Sequence, residues 1–161
     1  MKPTPLQEAI RADHERTGRL LSRYREAWLD GDYLLARARF DEFRQAVARH
    51  LAWEEDALVQ PLRWRISHVH QHHVLQRDAD RHRLVRDALD GIDVLMPAFV
   101  RPDRSLAFRI VEFVGVLEEL LDFHRMLFED QLVAELDGLL SSDEEQSVAT
   151  ALSRPAPAGC N

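Results

Sequence analysis

The sequence predicts an all-α protein: an antiparallel four-helix bundle in up-down-up-down order, with a short C-terminal helix. Three observations predict it. Apolar residues recur at helical spacing over four long segments. No segment has the strict polar–apolar alternation of a half-buried strand. Most connections are short and carry turn residues, so that consecutive helices pack as antiparallel neighbours.

The first helix opens at Thr4-Pro5-Leu6-Gln7. Thr4 suits the N-cap, Pro5 the first helical position, and Gln7 the capping-box place after it. It runs to about Leu29, with Ile10, Leu21, Tyr24 and Trp28 as its apolar stripe and His14 on that stripe. Asp30-Gly31-Asp32 stops this helix and caps the next. The second helix runs from about Tyr33 to Gln60, where Pro61 ends it. Residues 62–72 read as a connection, partly helical at most. A third helix covers roughly 73–89 and stops at Asp90-Gly91, carrying His82 on a face with Leu75, Val85 and Leu89. The segment IDVLMPAFVRPDR is a long irregular link. A fourth helix runs from near Ser105 to about Leu140 and carries His124. Ser142 to Glu145 is a second capping-box pattern, opening a short helix over about 142–152. Residues 153–161 are expected to be disordered. The whole of 1–161 reads as one domain with its bundle core at about 5–140.

Composition narrows the function. The chain is 45% hydrophobic and 30% charged, with a formal net charge of −7. Its arginines are interspersed with acids rather than gathered in a stripe, which argues against nucleic-acid binding. No apolar run approaches the roughly 20 residues that cross a bilayer. The N-terminus lacks the apolar centre of a signal peptide, so the expected setting is the cytoplasm, away from membranes. Cys160, the only cysteine, has no internal disulfide partner and reads as a free thiol.

The chemistry centres on FRQAVARHLAWEEDALVQP. His50 and Glu54 sit one helical turn apart, on a face otherwise made of Phe43, Ala46, Val47 and Ala57. A buried carboxylate is costly unless it is paired or bound to a metal. The pattern recurs: His124 lies on an apolar face with Phe113, Leu117, Leu120, Leu121 and Phe128, followed by Glu129 and Asp130. The chain thus reads as two similar helical hairpins. Packed antiparallel, they bring His14, His50, His82 and His124 to one level, with Glu54 and Glu129. Four imidazoles and two carboxylates suit iron, manganese or zinc. Six ligands exceed the need of one tetrahedral ion and suit two ions bridged by carboxylates. With one cysteine, thiolate zinc and cysteine-ligated iron–sulfur sites are excluded.

The runs DHERTGRLL, HLAWEEDALVQPL, HRLVRDAL and HRMLFEDQL resemble the hemerythrin-like (HHE cation-binding) family, over roughly Leu6 to Leu140. The resemblance implies a cofactor of two non-haem iron ions, bridged by oxo or hydroxo and by carboxylate groups. It implies the ligands His14, His50, Glu54, His82, His124 and Glu129, with Glu54 and Glu129 bridging. It implies a small diatomic ligand or peroxide as partner, and a response to oxygen, peroxide, nitric oxide or iron level. A sensor of this kind needs a separate protein partner as its output.

Two departures matter. Oxygen-carrying relatives have a second histidine one turn before the third-helix ligand, and here that place is Asp78. Fewer imidazoles and more carboxylate favour the ferric state, and hence sensing, redox or scavenging chemistry over oxygen carriage. Glu129 also follows His124 by five residues, which in an ideal helix turns it about 140° away. A π-bulge between them, or a long sideways reach by Glu129, restores the alignment.

The competing readings are definite. Peroxide breakdown or another oxidative reaction at the same site makes the chain an enzyme, with catalytic residues unassigned; a purely structural metal makes it an ordinary bundle. Glu55 and Asp130 read as surface charge, Asp13 and Asp80 as solvated or paired with nearby arginines. His68, His70, His72 and His73 read as mostly solvated, and Trp28, Trp53 and Trp64 as packing residues. Ferritin-like Glu-x-x-His and protease His-Glu-x-x-His patterns are absent.

Overall fold

The computed structural model describes residues 3–66, 69–95, 103–129 and 139–153, and every described residue in a regular element is helical. Helix α1 is Pro5–Leu29, α2 Tyr33–Trp53, a π-helical segment Glu54–Val59, α3 Gln60–Arg63, α4 Val69–Leu95, α5 Arg104–Leu127, and α6 Ser142–Ser153. The packed pairs are α1 with α2, α4 with α5, and α1 with α6. Among the described residues no helix is long and apolar enough to cross a membrane.

The first two caps form as the sequence predicts. Thr4 and Gln7 bond reciprocally, Gln7 Oε1 accepting from the Thr4 N–H at 2.9 Å. Gly31 turns the chain at φ +74°, a conformation that costs glycine nothing, and Asp32 then accepts from the Leu35 N–H at 3.0 Å. The last cap forms one residue earlier than predicted. Ser141 and Glu144, rather than Ser142 and Glu145, make the capping box. Glu144 is also drawn there by Arg65, at 2.6 Å.

Pro61 does not end the second rod. The rod passes through the π segment into α3, and the Gln60 N–H bonds five residues back, to Glu55. The regular α-helical ladder is interrupted there, and Pro61 stands in the first turn of α3, where a residue without an N–H is tolerated. Asp90-Gly91 does not end the third helix either. Phe113 of α5 lies against Gly91, 3.2 Å from where a Cβ would sit, so this glycine serves close helix packing. Helix α4 therefore takes in part of the predicted connection and the first residues of the predicted link. The predicted end of the fourth helix, Asp130, His68, Cys160 and most of the C-terminal tail lie outside the described residues.

The interior has two apolar clusters. One holds Tyr24, Phe40, Phe43, Leu51, Ile92 and Ile110. The other holds Leu6, Ile10, Leu58, Leu62, Leu75 and Phe128, with Val148 and Leu152 of α6 against it. Each long rod crosses from one cluster to the other close to its histidine; in the second rod the crossing lies between Leu51 and Leu58, at Glu54. In α1, His14 lies between Ile10 and Leu21; in α4, His82 lies between Leu75 and Val85. Phe113, predicted inside, is partly exposed, with one edge of its ring against Gly91 at the α4–α5 seam. Trp64, predicted to pack, is 91% exposed, since it falls after α3 where the rod has ended. Trp28 and Trp53 do pack, and Trp53 donates from Nε1 to the Val148 carbonyl of α6 at 3.2 Å.

Candidate metal centre

Four histidines from four helices meet between the two clusters. Ring centroids are 4.7 Å apart for His14 and His50, 5.8 Å for His50 and His124, and 5.1 Å for His82 and His124. His50, His82 and His124 are buried, and Glu54 is wholly so. Their nitrogen and oxygen atoms form two compact groups. One is His14, His50, Glu54 and His124; the other is Asp78, His82 and His124. Glu54 Oε1 lies 3.0 Å from His50 Nε2, while its Oε2 lies 2.9 Å from His82 Nε2 and 3.3 Å from His124 Nε2.

Local backbone aims these groups. His50 and Glu54 share a face one turn apart, at the junction of α2 with the π segment. That segment turns the consecutive residues Leu58 and Val59 both inward. No π-bulge lies between His124 and Glu129: the backbone is α-helical through Leu127, the Phe128 N–H bonds back to the His124 carbonyl, and π-helical backbone begins only at Phe128 and Glu129, so Glu129 reaches sideways instead. Phe128 packs in the core beside His124, and the Glu129 carboxylate turns to His14, accepting from Nδ1 at 2.9 Å. Glu129 thus holds His14 and stands outside both compact groups.

Asp13 is paired with a neighbouring arginine, one of the two expectations for it, but it is not solvated. It is buried, and it accepts from His50 Nδ1–H at 2.9 Å while Arg16 grips its other oxygen. One residue before His14, it is rotated toward α2 and so faces His50 rather than solvent. The signal was present in the sequence as Asp13-x-x-Arg16, matched by Asp78-x-x-Arg81. Arg81 donates to Asp78 Oδ1 at 2.8 Å, and Asp78 Oδ2 lies 3.4 Å from His82 Nε2. Glu55 pairs with Arg86 near the surface, Asp80 lies beside Arg83, and His72 and His73 are exposed, as predicted.

The donor set fits a cation. His14 and His50 each give their Nδ1 proton to a carboxylate, which leaves their Nε2 atoms facing each other at 3.1 Å. Two lone pairs at that distance repel unless a proton or a cation lies with them. Both Glu54 oxygens, Asp78 Oδ2, His82 Nε2 and both His124 nitrogens are buried without a hydrogen-bond partner among the described residues. So many converging, unpartnered buried nitrogen and oxygen atoms are costly by themselves and suit a metal.

Electrostatics agrees. Burial pushes His14 down to about 4, and the neighbouring His50 adds to this. Burial alone would lower His50, but Glu54 and Asp13 outweigh it and lift it to about 10. Burial would raise Glu54, yet His50 and His124 hold it well below the usual carboxylate range. In the absence of metal His50 therefore stays protonated at neutral pH. A cavity of about 260 Å³ between α1, α2 and α5 reaches the rings of His14, His50 and His124.

No curated protein and no solved structure matches this chain. A family model, that of the hemerythrin HHE cation-binding domain, matches residues 6–136, which include every residue of the cluster. The chain therefore belongs to the hemerythrin HHE cation-binding domain family.

Proposed function

We propose that this chain is a non-haem di-iron protein that binds or responds to oxygen, peroxide or nitric oxide, in sensing, redox or scavenging rather than bulk oxygen carriage. The observation that carries the reading is Glu54. Its two oxygens face different partners, Oε1 toward His50 and Oε2 toward His82, one in each donor group. A carboxylate so divided suits a bridge between two ions. In this reading His14, His50, Glu54, His82 and His124 hold the pair, Asp78 takes the place of a fifth histidine, and Glu129 completes the set from the edge beside His14. Two such ions supply electron exchange with a diatomic molecule or peroxide. The protein supplies the rest. Asp13 fixes the His50 ring, Arg81 fixes Asp78, and the apolar clusters on either side keep out water.

The crossing of each rod between the two clusters supports an up-down-up-down order. From Ile10 to Leu21, α1 runs toward the cluster that α2 leaves between Leu51 and Leu58; α4 and α5 repeat the alternation.

Elemental analysis with an absorption spectrum tests the centre. About two irons per chain, with oxo-bridge bands in the near ultraviolet, are expected. A chain that purifies metal-free, and melts at one temperature with or without iron, overturns the reading. The cavity beside three of the histidines favours a second reading, turnover of peroxide at the same centre. In stopped-flow mixing with peroxide, sustained oxygen release selects the enzyme, and a stoichiometric spectral change selects the sensor.

A further inference from the structure

The cavity beside the cluster is larger than a diatomic ligand needs. At about 260 Å³ it exceeds the roughly 150 Å³ that holds a benzene ring in a protein core. Its wall is mostly apolar, made by Leu21, Phe43, Val47 and Leu121. Besides the His124 nitrogens of the cluster, one polar group in that wall lacks a hydrogen-bond partner among the described residues. Thr17 is buried, and its Oγ1 makes no hydrogen bond among the described residues. A helical threonine ordinarily bonds the carbonyl one turn back, so this hydroxyl is unspent. Gly18 beside it leaves open space, since a Cβ there would meet nothing within 4 Å. The charged residues of the lining are already paired: Glu118 with Arg25 at 2.8 Å, Asp122 with Arg125 at 3.1 Å. A charged ligand gains little from them.

We propose that the cavity between α1 and α5 binds a small neutral organic molecule with an apolar body and one oxygen function, an alcohol or an alkyl hydroperoxide, held by the Thr17 hydroxyl. Its body fills the apolar wall, and its oxygen lies on the side of His14, His50 and His124. The binding stands apart from the di-iron reading; only the value of holding an oxygen function beside that centre rests on it.

Benzyl alcohol and toluene, titrated calorimetrically into the full chain as purified, test this. They share a ring and differ in one hydroxyl. The alcohol should bind about fivefold tighter, the worth of one ordinary hydrogen bond. Thr17→Val, close to isosteric, should erase that preference while toluene binding stays, and Thr17→Ser should keep it. Gly18→Leu should weaken both ligands at least tenfold by filling the cavity, with helical content unchanged by circular dichroism. Failure of both probes to bind wild type overturns the proposal, and so does a preference that survives Thr17→Val. The metal content of the same sample reports on the di-iron reading, so failure of one is told from failure of the other.

Discussion

Asp13 Oδ2 lies 2.9 Å from His50 Nδ1, and both side chains are buried. This bond decides which nitrogen of His50 faces the cluster. With Nδ1–H committed to Asp13, Nε2 is the atom that faces Glu54 and His14. Asp13→Asn keeps the shape and removes the charge. Metal affinity should fall about 10- to 100-fold, as for other carboxylates that orient ligand histidines. Chelator competition measures it, and unchanged affinity would mean that Asp13 only packs.

Glu54 is the carboxylate common to the imidazoles of α2, α4 and α5. Glu54→Ala and His50→Ala should each remove most of the bound iron while the helical content stays. Atomic absorption on matched preparations checks this, and full iron occupancy in either variant refutes the assignment.

Asp78 and Glu129 should behave differently. Asp78 is wholly buried in a donor group, whereas Glu129 is 27% exposed at its side chain and reaches the cluster at His14. Asp78→Ala should cost the metal site more than Glu129→Ala, and should also strand Arg81, whose side chain is only 11% exposed. The thermal midpoint of Asp78→Ala should therefore fall even without metal, by several degrees for about 1–2 kcal/mol. Equal behaviour of the two variants in metal content and melting would count against this geometry.

The metal-free protein should be most stable near pH 6.5. His50 titrates at about 10 when folded and near its ordinary 6.5 when unfolded. Its contribution is whole below pH 6.5 and is lost as the pH rises through about 10. His14 is opposite. Its folded value of about 4 lies below the ordinary 6.5, so the unfolded chain takes up the proton first and stability falls as the pH drops from 6.5 to 4. Urea denaturation of stripped protein from pH 4 to 10 reads both limbs, and a flat profile contradicts both shifts. Metal uptake at pH 7 should release the His50 proton, measurable in weak buffer.

The helices, the caps at Thr4 and Asp32, and the inward direction of His14, His50, His82 and His124 were legible in the sequence. All of these are local. Each depends on residues within a turn or two, where periodicity and capping chemistry act. The offset of Glu129 from His124 was legible too, and it is met by the sideways reach of Glu129 to His14 rather than by a bulge between the two residues. What tertiary structure alone decided lies between helices. Nothing in α1 by itself says that Asp13 is buried, because its partner is His50 on the next rod. Nothing in α4 says that Gly91 continues the helix, because the reason is the Phe113 ring of α5. Pro61 looked like a stop because a proline costs a hydrogen bond in a regular helix. The π segment before it, with Leu58 and Val59 both in the core, interrupts the regular ladder, so Pro61 stands in the first turn of α3 instead of inside a continuous α-helix. Burial and partnership are properties of packed surfaces, and a single chain read along its length carries them only as periodicity.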